Sequence, residues 1–85
     1  MTLDDRITEL IAIGSSVTAN CQPCLQYHVD KALGHGVNDL EIAQAIEVAK
    51  TVRKGAAAKM DRFASSMNKT VPADAAAARE GCGCR

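Results

Sequence analysis

Over residues 3–17 the apolar positions Leu3, Ile7, Leu10, Ile11, Ile13 and Val17 fall mostly on one helical stripe, with Asp4, Asp5 and Arg6 on the other side. That pattern predicts a first helix, and Asp4 and Asp5 suit the positive end of its dipole. A second helix is expected from the cysteines at 21 and 24. Proline is disfavoured inside a helix but fits its opening turn, where the missing N–H has no partner to lose. Pro23 therefore marks the first turn, with residues 20–22 as the cap. The helix should run to about Leu33 and stop at Gly34-His35-Gly36. Asn38 followed by Glu41 resembles a reciprocal cap and opens a third helix. Ala45, Ala49, Val52, Ala56, Met60, Phe63 and Met67 then hold one face for many turns, with Gly55 placed to bend or divide it.

This is an all-α pattern of three or four helices, with the cysteine pair at the start of the second. Residues 1–67 read as a single helical domain. From Asn68 the chain turns polar and Ala-rich, so residues 68–85 read as a flexible tail ending in Cys82-Gly83-Cys84-Arg85.

Composition sharpens the picture. Only Tyr27 and Phe63 are aromatic, so the core must come from Ala, Ile, Leu, Val and Met. A chain of 85 residues buries little more than ~60% of its unfolded surface. Small helical domains often gain the missing burial by association, and a homo-oligomer is expected. Ten acidic and ten basic residues cancel, which argues against electrostatic capture of nucleic acid. Lys50, Arg53, Lys54, Lys59 and Arg62 follow helical turns and read as a solvated face. The start, M-T-L-D-D-R-I-T-E-L-I, has no basic region followed by a long apolar run, so neither a leader nor a membrane span is expected. The cytoplasm is the expected location. Thiols there stay reduced, and four cysteines read as redox or metal chemistry rather than as staples.

That chemistry centres on N-C-Q-P-C-L-Q-Y-H, residues 20–28. In the first turn of a helix, unpaired N–H groups and the dipole both stabilise a thiolate at Cys24. His28 lies one turn further on, where it can take the thiol's proton or stabilise its anion. Cys21, three residues back, can resolve a sulfenic acid by closing a disulfide. The same residues also suit half of a zinc site, or ordinary packing positions. Glu9, in the apolar run T-E-L-I-A-I, either faces water or orients His28 across a helix interface. His35, between two glycines, is expected to be exposed and without a role.

Glu9, eleven intervening residues, then Cys21-x-x-Cys24-x-x-x-His28 resembles the active-site pattern of the alkylhydroperoxidase D branch of the carboxymuconolactone decarboxylase family. The flanking stretches E-L-I-A-I-G-S-S-V-T-A-N-C and H-V-D-K-A-L-G-H-G-V-N-D-L-E-I-A-Q-A are similar too, and the resemblance covers about residues 3–64. It implies a helical fold assembled as trimers or hexamers, and a thiol-dependent peroxidase or disulfide reductase activity with antioxidant use. It further implies that Glu9 and His28 relay protons to activate Cys24, with Cys21 as resolving partner. No cofactor is implied. Electrons would come from a thiol donor such as a lipoyl-bearing or thioredoxin-like protein and could pass to a peroxiredoxin. The family's decarboxylases act on a lactone without this dithiol, so the cysteines speak against that activity.

Pro23 departs from the branch, whose members often carry His or another polar residue there, so any relay through that position is absent. C-Q-P-C is also similar to thioredoxin's motif, in which the first cysteine attacks, and both Cys24 and Cys21 stay candidates for the nucleophile. Cys82 and Cys84 lie outside the resemblance. They could relay electrons, be incidental, or hold a soft metal or metalloid. A non-catalytic metal-binding module using Cys21, Cys24, His28 and that pair is the alternative reading.

Overall fold

A computed structural model describes residues 2–67, and these form three helices with no strand among them. Helix α1 spans Asp5–Thr18, α2 Gln22–Gly34 and α3 Asp39–Met67. The tail at 68–85, with Cys82 and Cys84, lies outside the described residues.

Both ends of α1 and α2 and the start of α3 have local causes. Asp4 caps α1 by accepting the Ile7 N–H at 2.8 Å, a contact worth about 1 kcal/mol. The acidic start read from the sequence as a dipole effect is thus also a direct hydrogen bond. At the other end Asn20 adopts φ 59°, and the amides of Asn20 and Cys21 turn back to the carbonyls of Val17 and Ser16. Asn tolerates this left-handed conformation better than most residues. Helix α2 closes the same way, with Gly36 at φ 85° and the Val37 and Gly36 amides donating to Ala32 and Leu33. Val37 and Ala32 also pack in the core, so this cap is polar and apolar at once. The reciprocal cap on α3 forms as expected: Glu41 N–H donates to Asn38 Oδ1 at 2.8 Å and Asn38 N–H to Glu41 Oε1 at 3.1 Å.

Helix α1 lies at the centre and packs against both of the others, which barely touch each other. The core is small: Ile13, Ala32, Val37 and Ile42, with Leu10, Leu25, Val29, Ala45 and Ile46 against it. An Arg6–Glu41 ion pair joins α1 to the start of α3.

Two expectations for α3 change. Gly55 does not divide it, and the helix runs unbroken for about 43 Å. Its apolar stripe is real, but only the first part reaches the core. Ala49 is buried, whereas Val52 is exposed on the open α1–α3 groove, and Met60, Phe63 and Met67 stand exposed further along α3, past the end of α1. The basic run is likewise mostly solvated except for Arg53. That guanidinium crosses to the end of α1 and donates to the Val17 carbonyl at 2.9 Å and Asn20 Oδ1 at 2.8 Å.

Candidate active site

The site grows from the turn between α1 and α2. Cys21 belongs to both helices: its amide closes α1 on Ser16, and its sulfur caps α2 by accepting the Cys24 N–H at 3.3 Å. Pro23 sits in the first turn behind it, as the sequence predicts. Cys21 and Cys24 are joined as a disulfide, with Cα atoms 5.3 Å apart. Cys24 is exposed and Cys21 half-buried. The helix-start hydrogen bond expected to favour a thiolate at Cys24 is therefore made to Cys21 instead. The reason is register: the helix begins at Gln22, which leaves Cys21 in the capping position.

His28 lies one turn after Cys24 on the same side of α2. Its Nδ1 is 2.7 Å from Glu9 Oε1, which decides the question the sequence left open about Glu9. Glu9 faces the α1–α2 interface and is only 5% exposed. A carboxylate accepts but does not donate, so in this pair Nδ1 carries the proton and Nε2 is the ring atom left to exchange one. The His28 hydrogen bond holds the Glu9 carboxyl below the usual carboxylate range, with help from the Lys31 charge and against the opposing push of burial.

Three side chains at this site carried no assignment from the sequence. Lys31 Nζ lies 3.4 Å from Glu9 Oε2, and Glu9's charge raises the Lys31 pKa above the ordinary lysine value, with Tyr27 adding to it. The ammonium also stands over the Tyr27 ring, 5.4 Å from its centre. The Tyr27 ring in turn meets His28 edge-on at 5.0 Å between centres. Arg53 borders the cleft beside Cys21, a hollow of about 210 Å³ floored by Val17 and Leu25. The signal for Lys31 was spacing, since it falls three residues after His28 and four after Tyr27. His35 is exposed as expected but has a place in the fold: its amide closes α2 on Lys31 and Ala32, and its ring lies 3.7 Å from Asp5 Oδ2.

The model of the carboxymuconolactone decarboxylase family matches residues 2–64. The chain belongs to that family. The match spans α1, α2 and all but the last residues of α3, and includes Glu9, Cys21, Cys24 and His28, whereas Cys82 and Cys84 fall beyond it. No curated protein and no solved structure matches the chain. Within the family domain, among the described residues, no group of three or more His, Cys, Asp or Glu is placed to hold a metal. No described helix is long and apolar enough to cross a membrane. A cysteine pair at bonding distance on a domain of this family is compatible with redox chemistry.

Proposed function

We propose that this is a thiol-dependent oxidoreductase of the alkylhydroperoxidase D-like branch, cycling Cys21 and Cys24 between dithiol and disulfide. The observation that carries the reading is the 2.7 Å contact between buried Glu9 of α1 and His28 of α2, the helix whose cap and first turn carry the cysteine pair. A buried carboxylate fixing an imidazole one turn from a thiol is the arrangement that proton transfer to and from sulfur requires.

In the oxidative half, His28 takes the Cys24 proton and the thiolate attacks the outer oxygen of a hydroperoxide. The O–O bond breaks, the alkoxide takes the proton back as an alcohol, and Cys24 becomes a sulfenic acid. Cys21 then attacks the Cys24 sulfur. The S–O bond breaks, the Cys21 proton leaves with the hydroxide as water, and the disulfide forms. In the reductive half a donor thiolate attacks the exposed Cys24 sulfur, and Cys21 departs as a thiolate onto the Cys24 N–H. The second donor thiol displaces Cys24 and leaves with the disulfide. One hydroperoxide and one dithiol give one alcohol, one water and one disulfide.

The electron donor is a dithiol such as a lipoyl-bearing or thioredoxin-like protein, and a peroxiredoxin is the further acceptor where electrons are passed on. The enzyme works as a homo-oligomer in the cytoplasm. A short pulse of substoichiometric organic hydroperoxide on fully reduced protein, followed by peptide mapping, tests the core of this. A fast Cys21–Cys24 disulfide, reversed by dithiothreitol, is expected. Both cysteines left unreacted, with oxidation confined to Cys82 and Cys84, would overturn it.

A further inference from the structure

Glu9 is buried, and a lone buried carboxylate is not held by one hydrogen bond. Its terminal torsion has broad wells, so a single partner on Oε1 leaves the carboxylate plane loosely set. The structure supplies a partner for each oxygen, His28 Nδ1 on Oε1 and Lys31 Nζ on Oε2. Both come from α2, one turn apart, and they are the side chains that act on the Glu9 carboxyl. Tyr27 closes the circuit by touching the imidazole on one side and the ammonium on the other. The four side chains thus form a ring of contacts in which each touches two others. Lys31 is itself exposed, so it meets the charge of Glu9 without being buried.

We propose that Lys31 is a positioning residue of the Glu9–His28 relay: its ammonium on Oε2 fixes the carboxylate so that Oε1 is held to His28 Nδ1, with Tyr27 bracing both partners. The assignment rests on the dithiol reading above. Lys31 touches neither sulfur, and it acts through Glu9. With the ammonium in place the carboxylate stays charged and oriented, and His28 keeps Nδ1–H toward Glu9 and Nε2 as the atom that exchanges a proton. Without it Glu9 protonates more readily, because burial is then opposed by one partner instead of two. A protonated Glu9 can no longer hold Nδ1–H as a charged acceptor, so the relay fails first on the acid side.

The test compares Lys31→Met, which keeps the stem, with Lys31→Arg, which keeps the charge. Two quantities are followed: the titration of the Glu9 carboxyl by carbon-13 NMR, and the pH profile of peroxide-driven Cys21–Cys24 disulfide formation. Lys31→Met is expected to move the Glu9 midpoint to higher pH and to shift the acid limb of the rate profile in the same direction. Lys31→Arg is expected to restore both. A Glu9 midpoint unchanged in Lys31→Met overturns the assignment, as does a rate lowered equally at every pH and not restored by arginine. If wild-type protein forms no disulfide at all, the parent reading and the relay fail. The carboxyl titration then still reports whether Lys31 holds Glu9.

Discussion

At the residue scale the site turns on a carboxylate that the sequence alone could not place. Periodicity puts Glu9 on the edge of an apolar stripe, and either outcome, water or interface, fits the same spacing. What decides is the partner across the interface. The pair has two measurable consequences. Glu9→Gln and His28→Ala should each slow peroxide-driven disulfide formation by roughly 10²-fold, the size expected when a general acid–base is lost. Stopped-flow oxidation of the reduced variants measures this. Stability should carry the same signature. The Glu9 pKa is lowered in the folded state from an unfolded value near 4.5, so its contribution is fully present above pH 4.5 and is lost as pH falls through the lower, folded value. Urea unfolding of wild type and Glu9→Gln should therefore differ at pH 6 and converge as the solution becomes strongly acidic. A gap that stayed constant with pH would show that the Glu9 charge contributes nothing to the fold. Lys31 escaped sequence reading for a related reason: a long, charged side chain beside a histidine looks like a solvated residue until its reach is known.

At the element scale most of the fold was legible, because helix ends are written in local chemistry. Pro23 opens α2, Asn38 and Glu41 cap α3 on each other, and the Gly34–Gly36 stretch ends α2. What spacing could not supply was register at the cysteines, where one residue decides which sulfur takes the cap. Nor could it separate Arg53 from its solvated neighbours, since the acceptors at Val17 and Asn20 come from another helix. Two substitutions probe these ends. Gly36→Val forces a branched side chain into φ 85°, and should cost about 1–2 kcal/mol or more of unfolding free energy. A denaturation midpoint equal to wild type would contradict the cap as described. Arg53→Met should raise hydrogen exchange at the Asn20 and Cys21 amides while leaving the start of α3 protected, because only the α1 end loses a tether.

At the scale of the whole molecule, the three helices leave apolar surface uncovered. The α1–α3 face carries an open groove lined by Ile7, Ile11, Val48 and Val52, and Met60, Phe63 and Met67 project beyond it. Of the apolar stripes read from the sequence, Ile13, Val17 and Ala49 are buried and Leu10 and Ala45 pack against the core, while the other positions stand mostly exposed and Ala32, Val37 and Ile42 complete the core instead. Only a fold shows where a partner helix stops. Small domains with this deficit gain burial by association, which fits the oligomer proposed above. Phe63→Glu should lower the assembly size measured by light scattering, and an unchanged mass would remove Phe63 from any subunit contact. One further consequence follows from the turn at residues 17–21. It is tied to α1 through the amides that close it, to α2 through the Cys21 sulfur and to α3 through Arg53. On the dithiol reading, a sulfur that gains or loses electrons there changes its strength as acceptor of the Cys24 N–H, and so the cap that ties the turn to α2. By thermodynamic reciprocity, whatever tightens or loosens that cap also alters how readily those sulfurs trade electrons.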